Sequence, residues 1–551
     1  MNNMLRPKKI YLSIATITTI VTLFAVWQPS LELSNRPNPN TPTNALPGQL
    51  KLDILTGPYV VGTMNISPDG SQLYQQHSFL TLDPPYQFMT ESRAPDGTLI
   101  AIKYPADEIL EYDTTLEETR QGDKWQNMIE SRQLAIHDTN HELWRVHYND
   151  RVIVRNNWSP DSQYIAVVHA VRKTGREKND IQIDVYTRSG ERMMRLPEQA
   201  DASLIDIKWP PFEDERIARL MEVGLSEQPR IDPPIWSPDG RWFVIGTRKD
   251  DQTTLHIINP NQQVHHPITV EADSVLVEWA KDSSRLVISH MKNHVSTLLL
   301  VEPTLATANT ERLLQTAKKI RQIKLSPDNT HAVYLAGSEY YLVSIQDKAQ
   351  QFLHVKTEPE RSCGSIIRWS PTSAYVLVAA CNKTARIISI SDQSIWELNS
   401  SLQKETPISS YFNFNNGMWS HHTDRFVIRS QQFSADGDAS KLLLFDPAKQ
   451  QVSTLADKLH FRMMRANDFV HIDALAWDPT DRYVVFANTR NDTLVGQESF
   501  EDHLAIVDTE TLNIQRVSYD FLSQSTLARN PVNNRYTYQV DLIDWMIEGG
   551  P

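Results

Sequence analysis

From residue 158 onward the chain keeps returning to one short pattern: an apolar strand ending in Trp, a tight turn, then a second apolar strand. The pattern stands at Trp158-Ser159-Pro160-Asp161-Ser162, Trp236-Ser237-Pro238-Asp239-Gly240, Trp279-Ala280-Lys281-Asp282-Ser283, Leu325-Ser326-Pro327-Asp328-Asn329 and Trp369-Ser370-Pro371-Thr372-Ser373. Looser copies occur at Trp419-Ser420-His421-His422 and Trp477-Asp478-Pro479-Thr480. Pro presets φ for the second turn position, Asp accepts local backbone hydrogen bonds, and Gly, Asn or Ser follows where the chain reverses. The arm after the turn is apolar and β-branched, as in Tyr164-Ile165-Ala166-Val167-Val168 and Arg482-Tyr483-Val484-Val485-Phe486, so each copy reads as a hairpin.

Between Trp236 and Trp477 successive anchors lie 43, 46, 44, 50 and 58 residues apart. Two more strands fit before the next anchor, for example 441–446 and 451–455 after Trp419. Four antiparallel strands in a repeat of this length make one blade of a β-propeller, and no blade can bury both its faces alone. The expected fold is therefore all-β: a closed propeller of four-stranded blades. Eight blades are expected. Seven is the alternative, because Ile66-Ser67-Pro68-Asp69-Gly70 is either a blade of its own or part of an elaborated first blade. The segment from Gln539 to Trp545 looks like a first arm without a second. It is expected to close the ring by pairing with the blade that contains Leu99 to Ile102, which removes two free sheet edges. Trp158, Trp236, Trp279, Trp369, Trp419, Trp477 and Trp545 are expected as core residues packed between neighbouring blades.

The Trp-Ser-Pro-Asp-Gly turn followed by an apolar strand resembles the WD-like repeat of TolB-type envelope propellers, a repeat also found in the propellers of prolyl oligopeptidase relatives. The resemblance covers nearly the whole chain after residue 50. Trp279, followed by Ala-Lys-Asp, and Trp419, followed by Ser-His-His, depart from it at the turn while the order of strands is kept. A prolyl-oligopeptidase-like activity would need an α/β-hydrolase elbow of the form G-x-S-x-G. No such pentapeptide occurs.

Ahead of the repeats, Ile10 to Trp27 carries no charged residue and as a helix would span roughly 27 Å, just enough to cross a bilayer. Arg6, Lys8 and Lys9 precede it, so residues 1–9 are expected as a cytoplasmic basic tail, 10–27 as a transmembrane signal anchor and everything later as extracytoplasmic. Ala25-Val26-Trp27-Gln28 makes a poor cleavage site, so removal of the segment as a signal peptide is the lesser reading. Residues 28–50, rich in Pro and Asn, are expected as an extended tether, leaving 51–551 for the propeller.

A net charge of −13 argues against nucleic-acid binding. Cys363 and Cys381 are the only cysteines. If the hairpin after Trp369 turns about Thr372, the two face each other across the strands and are expected to form a disulfide, which an extracytoplasmic setting would preserve. The adjacent pairs His265-His266 and His421-His422 point to opposite faces of a strand, and His141, Glu142 and His147 miss the H-E-x-x-H spacing. No metal or cofactor is expected. Asn65-Ile66-Ser67, Asn382-Lys383-Thr384, Asn399-Ser400-Ser401 and Asn491-Asp492-Thr493 match the glycosylation acceptor pattern, which arises often by chance.

Polar insertions stretch the repeat between Tyr104 and Gln133, Trp209 and Ile235, Gln431 and Ser440, Asp457 and Val470, and Asn491 and Asp502. Loops on a rigid frame are where recognition lives. The chain is accordingly expected to be a monomeric, membrane-anchored scaffold that binds a protein or polymer of the cell envelope. A propeller enzyme of lyase or glycosidase type, acting on an extracellular polysaccharide through channel-lining acids and histidines, is the alternative. N-terminal sequencing of the mature protein is expected to begin ahead of residue 27; a chain starting between Trp27 and Leu50 would remove the anchor.

Overall fold

The computed structural model describes residues 46–546 apart from short breaks and longer stretches at 79–90, 106–130, 209–234, 399–409, 462–474, 489–502 and 517–538. The expected anchor, the tether up to residue 45, and the greater part of the insertions lie outside the described residues. The described strands form nine sheets of four or five strands, with antiparallel pairing inside each blade. Blades 2 to 9 follow chain order over 91–147, 151–196, 203–271, 274–316, 320–356, 365–397, 410–461 and 475–516.

Blade 1 is composite. Its inner strand is Gln539–Met546, and its outer three are Gln49–Thr56, Tyr59–Ile66 and Leu73–Ser78. Gln539–Met546 pairs with Gln49–Thr56 from Gln49↔Met546 to Leu55↔Gln539, with one bulge. The tail thus closes the ring, but on 49–56 rather than on the blade of Leu99 to Ile102. The count is nine rather than eight or seven for the same reason. The blade split between the two termini carries no Trp anchor near its N-terminal strands, and its Ile66-Ser67-Pro68 turn joins the third and outermost strands. In the other blades that turn joins the inner strand to the second.

Apolar clusters sit between neighbouring blades. Phe243, Ile245 and Ile258 of blade 4 pack against Val168, Ile183 and Leu196 of blade 3, and the opposite face of blade 4 packs against Trp279, Leu286 and Ile288 of blade 5. Trp158, Trp236, Trp279, Trp477 and Trp545 are buried in these layers, and Trp369 and Trp419 are partly buried. Tyr483 stacks on Trp545 at 6.4 Å between blades 9 and 1, as Tyr164 stacks on Trp236 at 6.1 Å between blades 3 and 4. Blades 1 and 2 meet through Arg93 Nη1, which donates to Thr63 Oγ1 at 2.8 Å, and Lys51 Nζ, which donates to the Pro95 carbonyl at 2.7 Å.

In the hairpin of Trp369 the described pairs run from Ser365↔Ala380 to Trp369↔Val376. That register is centred half a residue beyond Thr372. Both cysteines lie outside the described residues.

Blade 4 departs from the plan in one respect. Its inner position is filled by two short pieces, Ser203–Leu204 and Ile235–Trp236, both paired with Phe243–Lys249. Between them Ile207–Lys208 pairs in parallel with Val275 and Leu276 on the inner strand of blade 5. The insertion therefore leaves the frame at its channel-facing edge.

Trp545 is 2% exposed. Trp545→Ala is expected to cost about 3–5 kcal/mol through lost burial and the cavity left behind, and deletion of 539–551 should lower the melting temperature further or prevent folding. Unchanged melting of the truncated chain would show that ring closure does not support the fold.

Candidate functional site

The turns that define the repeat also stitch the blades together. The residue at the end of each turn adopts a left-handed φ, near 60° at Ser162, Ser283, Asn329, Ser373 and Asp481 and +73° at Gly240. Where it carries a side chain, that side chain binds the turn of the preceding blade. Ser162 Oγ accepts from Asp96 N at 2.9 Å, Ser283 Oγ from Asp239 N at 3.0 Å and Ser373 Oγ from Asp328 N at 3.0 Å. Asn329 Nδ2 donates to Asp282 Oδ2 at 2.8 Å, Asp424 Oδ1 accepts from Thr372 N at 3.2 Å, and Asp481 accepts from His421 N and His422 N at 2.6 and 2.7 Å. A second rung comes from the anchors. The indoles of Trp158, Trp279, Trp369, Trp419 and Trp477 each donate to a carbonyl of the preceding inner strand, at 3.1 to 3.3 Å.

Both rungs are missing between blades 3 and 4. Gly240 has no side chain to offer, and a Cβ there would lie 2.5 Å from the Asp161 carboxyl carbon. Trp236 Nε1 is buried with no hydrogen-bond partner. A cleft of about 480 Å³ opens at this seam, lined by Asp161, Gln163, Tyr164, Thr187, Arg188 and Ser189 of blade 3 and by Arg241 and Asn261 of blade 4.

The charges in the cleft are largely compensated. Arg188 pairs with Asp96 at 2.5 Å and also reaches Thr98 Oγ1. Arg241 pairs with Asp239 at 2.5 Å. Burial would raise the Asp96 pKa, yet the hydrogen bonds from Arg188 and Thr98 hold it below the usual carboxylate value. Among the described lining residues the one carboxylate, Asp161, accepts from Ser159 Oγ at 2.5 Å and Gln163 N at 3.1 Å. The lining side chains carry guanidinium, amide and hydroxyl groups on largely apolar stems, together with the Tyr164 ring. Two opposed carboxylates, the minimum for glycosidic chemistry, are not among the described lining residues.

A second polar cluster lies buried between blades 2 and 3. Asp184 accepts from Arg195 Nε and Nη2 at 2.7 and 2.8 Å, from Tyr148 OH at 3.0 Å and from Tyr186 OH at 3.3 Å. His169 Nε2 lies 3.2 Å from Asp184 Oδ2 out of hydrogen-bonding alignment, and neither ring nitrogen has a hydrogen-bond partner. The Tyr148 ring covers the imidazole at 4.2 Å. These groups resemble an acid–base set, but their titrations run the wrong way for one. Burial first, and the Asp184 charge second, push Tyr148 up, and Tyr186 is raised to about 12. Burial pushes His169 down. Burial works against the Asp184 charge, but Arg195 and His169 outweigh it and keep the carboxylate ionised. A general acid or base is poised near the working pH, whereas these groups are driven away from it. The cluster is a structural clasp.

His265 and His266 diverge as expected from strand geometry, whereas His421 and His422 lie in the turn after Trp419 and not on a strand. His265 Nε2 meets His256 Nδ1 at 2.7 Å on one face, while His266 Nε2 turns to the Thr304 carbonyl at 2.7 Å on the other. At the rim, His421 Nε2 meets the Trp477 carbonyl at 3.2 Å. Among the described residues no three His, Cys, Asp or Glu side chains are grouped to hold a metal. Also among the described residues, no helix is long and apolar enough to cross a membrane. The cleft escaped sequence reading because Gly240 looks like the ordinary end of a turn; only the side chains of its counterparts reveal what it lacks.

No protein-family model and no curated protein matches the chain. Among solved structures it is similar to a eukaryotic initiation factor (TM-score 0.45, 11% identity, 85% of this chain and 96% of that one). It is also similar to an oligogalacturonate lyase from Vibrio parahaemolyticus (0.32, 9%, 63% and 84%) and to a TolB-like protein from Agrobacterium tumefaciens (0.24, 17%, 41% and 79%). At such scores the likeness is one of architecture and does not bear on activity.

The clasp makes stability depend on pH. Because burial lowers the His169 pKa below its unfolded value of about 6.5, protonation favours the unfolded chain, so its contribution is complete above that pH and falls as pH drops below it. The lowered Asp184 pKa adds a loss that begins only below about pH 4. His169→Gln is expected to flatten the stability profile below about pH 6.5 by up to ~1.4 kcal/mol per pH unit, the limit for one proton. Denaturant midpoints across that range check it, and a parallel profile would show that His169 is not the group responsible.

Proposed function

We propose that this chain is an extracytoplasmic binding scaffold, held at a membrane by residues 10–27, that engages a protein or polymer partner at the seam between blades 3 and 4. The observation that supports this most is the coincidence of the two missing rungs with a cleft whose described lining mixes apolar surface with charge-compensated polar groups and is poor in acid–base groups. The fold supplies a rigid frame, and the cleft places eight side chains from two blades around one opening. Lyase or glycosidase action finds less support here, since the described lining of the cleft offers one carboxylate, already engaged by its own turn. The basic run before residue 10 and the apolar run after it support an outward-facing propeller.

Arg241 and Asn261 contribute to the cleft from exposed turns, so replacing them should leave the fold intact. Cross-linking in native membranes with wild-type chain and with R241E/N261A is expected to recover a discrete partner with the first and at least tenfold less of it with the second. Equal recovery would move the site away from this seam. Turnover of an extracellular polysaccharide by the purified propeller, abolished by Asp161→Asn, would replace the scaffold reading with an enzymatic one.

A further inference from the structure

We propose that the occupant of the cleft between blades 3 and 4 is a neutral glycan chain, an inference that rests on reading that cleft as the binding site and names its ligand. The cleft measures about 480 Å³, within the roughly 300–1,000 Å³ of pockets that take small ligands. Its described lining is eight residues, against the roughly 20–30 per side of a standard protein–protein interface. An opening of that size seats a narrow chain rather than a folded surface.

The apolar part of the lining is held in place. Tyr164 lines the cleft and stacks on Trp236 with centroids 6.1 Å apart and 15° between planes. Trp236 is itself buried, against Phe243 at 4.9 Å. The Tyr164 ring therefore keeps one orientation, and an aromatic plane of fixed tilt fits the C–H face of a pyranose. Asp161 and Gln163 come just before Tyr164 in the chain and also line the cleft, so polar groups stand beside that plane.

The polar part offers both donors and acceptors. Asp161 Oδ1 serves its own turn, which leaves Oδ2 to accept. Gln163 Nε2 donates to the Asp161 carbonyl at 3.2 Å, so its Oε1 is left as an acceptor. Arg241 binds Asp239 through Nε, which leaves its terminal nitrogens as donors, and the Asn261 amide supplies one of each kind. A hydroxyl both donates and accepts, and neighbouring ring hydroxyls meet planar carboxylate, amide and guanidinium groups in pairs. Charge decides between neutral and acidic chains. Arg188 is paired with Asp96 and Arg241 with Asp239, so the charge left over among these groups is the negative one on Asp161. A uronate or phosphate polymer would meet that charge without a spare cation to offset it. A neutral glycan, with C–H faces and hydroxyl edges, has the same mixture of surfaces as the lining.

Calorimetry and saturation-transfer NMR on the detergent-solubilised full chain test the assignment, with cellohexaose, maltohexaose, mannohexaose and chitohexaose as neutral probes and a mannuronate hexamer as the acidic one. At least one neutral hexamer is expected to bind, and the mannuronate hexamer to bind about tenfold more weakly or not at all. Gln163→Ala, at an exposed position, should fold normally and weaken the neutral hexamer about fivefold. Tyr164→Leu, which keeps apolar volume and loses the aromatic plane, should weaken it about tenfold. Gln393→Ala, at the seam of blades 6 and 7 where Gln393 donates to Gln351, should bind like the wild type. Equal binding by wild type, Q163A and Y164L, or tighter binding of the mannuronate hexamer, would overturn the assignment. So would absence of binding by every neutral hexamer. In that case a protein cross-linked by the wild type and lost in R241E/N261A would keep the cleft as the site and make its occupant a protein, whereas failure of both measurements would remove the site itself.

Discussion

Everything in this ring rests on one short-range bond made across a long-range gap: a turn residue of one blade accepting or donating to the turn of the blade before. The apolar layers between blades supply most of the driving force, since Val, Ile, Leu and Trp are removed from water on both faces of every sheet. Those layers are non-directional, however, and would tolerate sliding. The bond from Asp239 N to Ser283 Oγ, or from His422 N to Asp481, fixes the offset between neighbours at a defined atom. It also satisfies a backbone donor that the next blade would otherwise cover, which is costly to leave unmade. Repeated around the axis, the same contact converts a stack of sheets into a frame of set radius.

The geometry of the turn explains why a particular set of residues recurs. The turn-end position has a left-handed φ, and non-glycine residues reach it least unfavourably when a short polar side chain can bond locally. Ser, Asn and Asp satisfy that demand and also reach the preceding blade. Glycine satisfies only the first half. At Gly240 the Asp161 carboxyl moves into the space a side chain would need, and the neighbouring blades lose one tie. At the same junction Trp236 keeps its apolar packing against Phe243 and Tyr164 without its indole hydrogen bond. Packing is retained where direction is lost, which is the combination that permits a cleft without unfolding the ring.

The hairpins, their strand order and the closure by the tail were legible because turn chemistry and alternation are local signals. Trp236-Ser237-Pro238-Asp239-Gly240 announces its own hairpin, and the Trp545 strand announces a missing partner. The ninth blade was not legible, because its strands lie at both ends of the chain and the partner of Trp545 is Leu50, in a stretch with no anchor of its own. The half-residue shift after Trp369 shows the other limit. Counting outward from a turn presumes where its centre falls, and an error of one position changes every facing pair. His256 with His265, and the Asp184 clasp, are products of such registers, so neither can be read from spacing until the pairing is known.

The insertion in blade 4 bears on the seam from the inner side. An inner strand in one piece would hold blade 4 along its full height, yet here the position is shared by Ser203–Leu204 and Ile235–Trp236, only two residues each. The piece that includes Trp236 is also the one lacking its indole bond. Between the two pieces the chain crosses to blade 5, where Ile207 and Lys208 pair in parallel with Val275 and Leu276 and tie the insertion to that blade's channel-facing edge. Blade 4 is therefore held more firmly toward blade 5, through Ser283, the Trp279 indole and this added pair, than toward blade 3, where neither rung is made. The asymmetry leaves blade 4 tied by directed bonds on one side only, and the untied side is the one that lines the cleft.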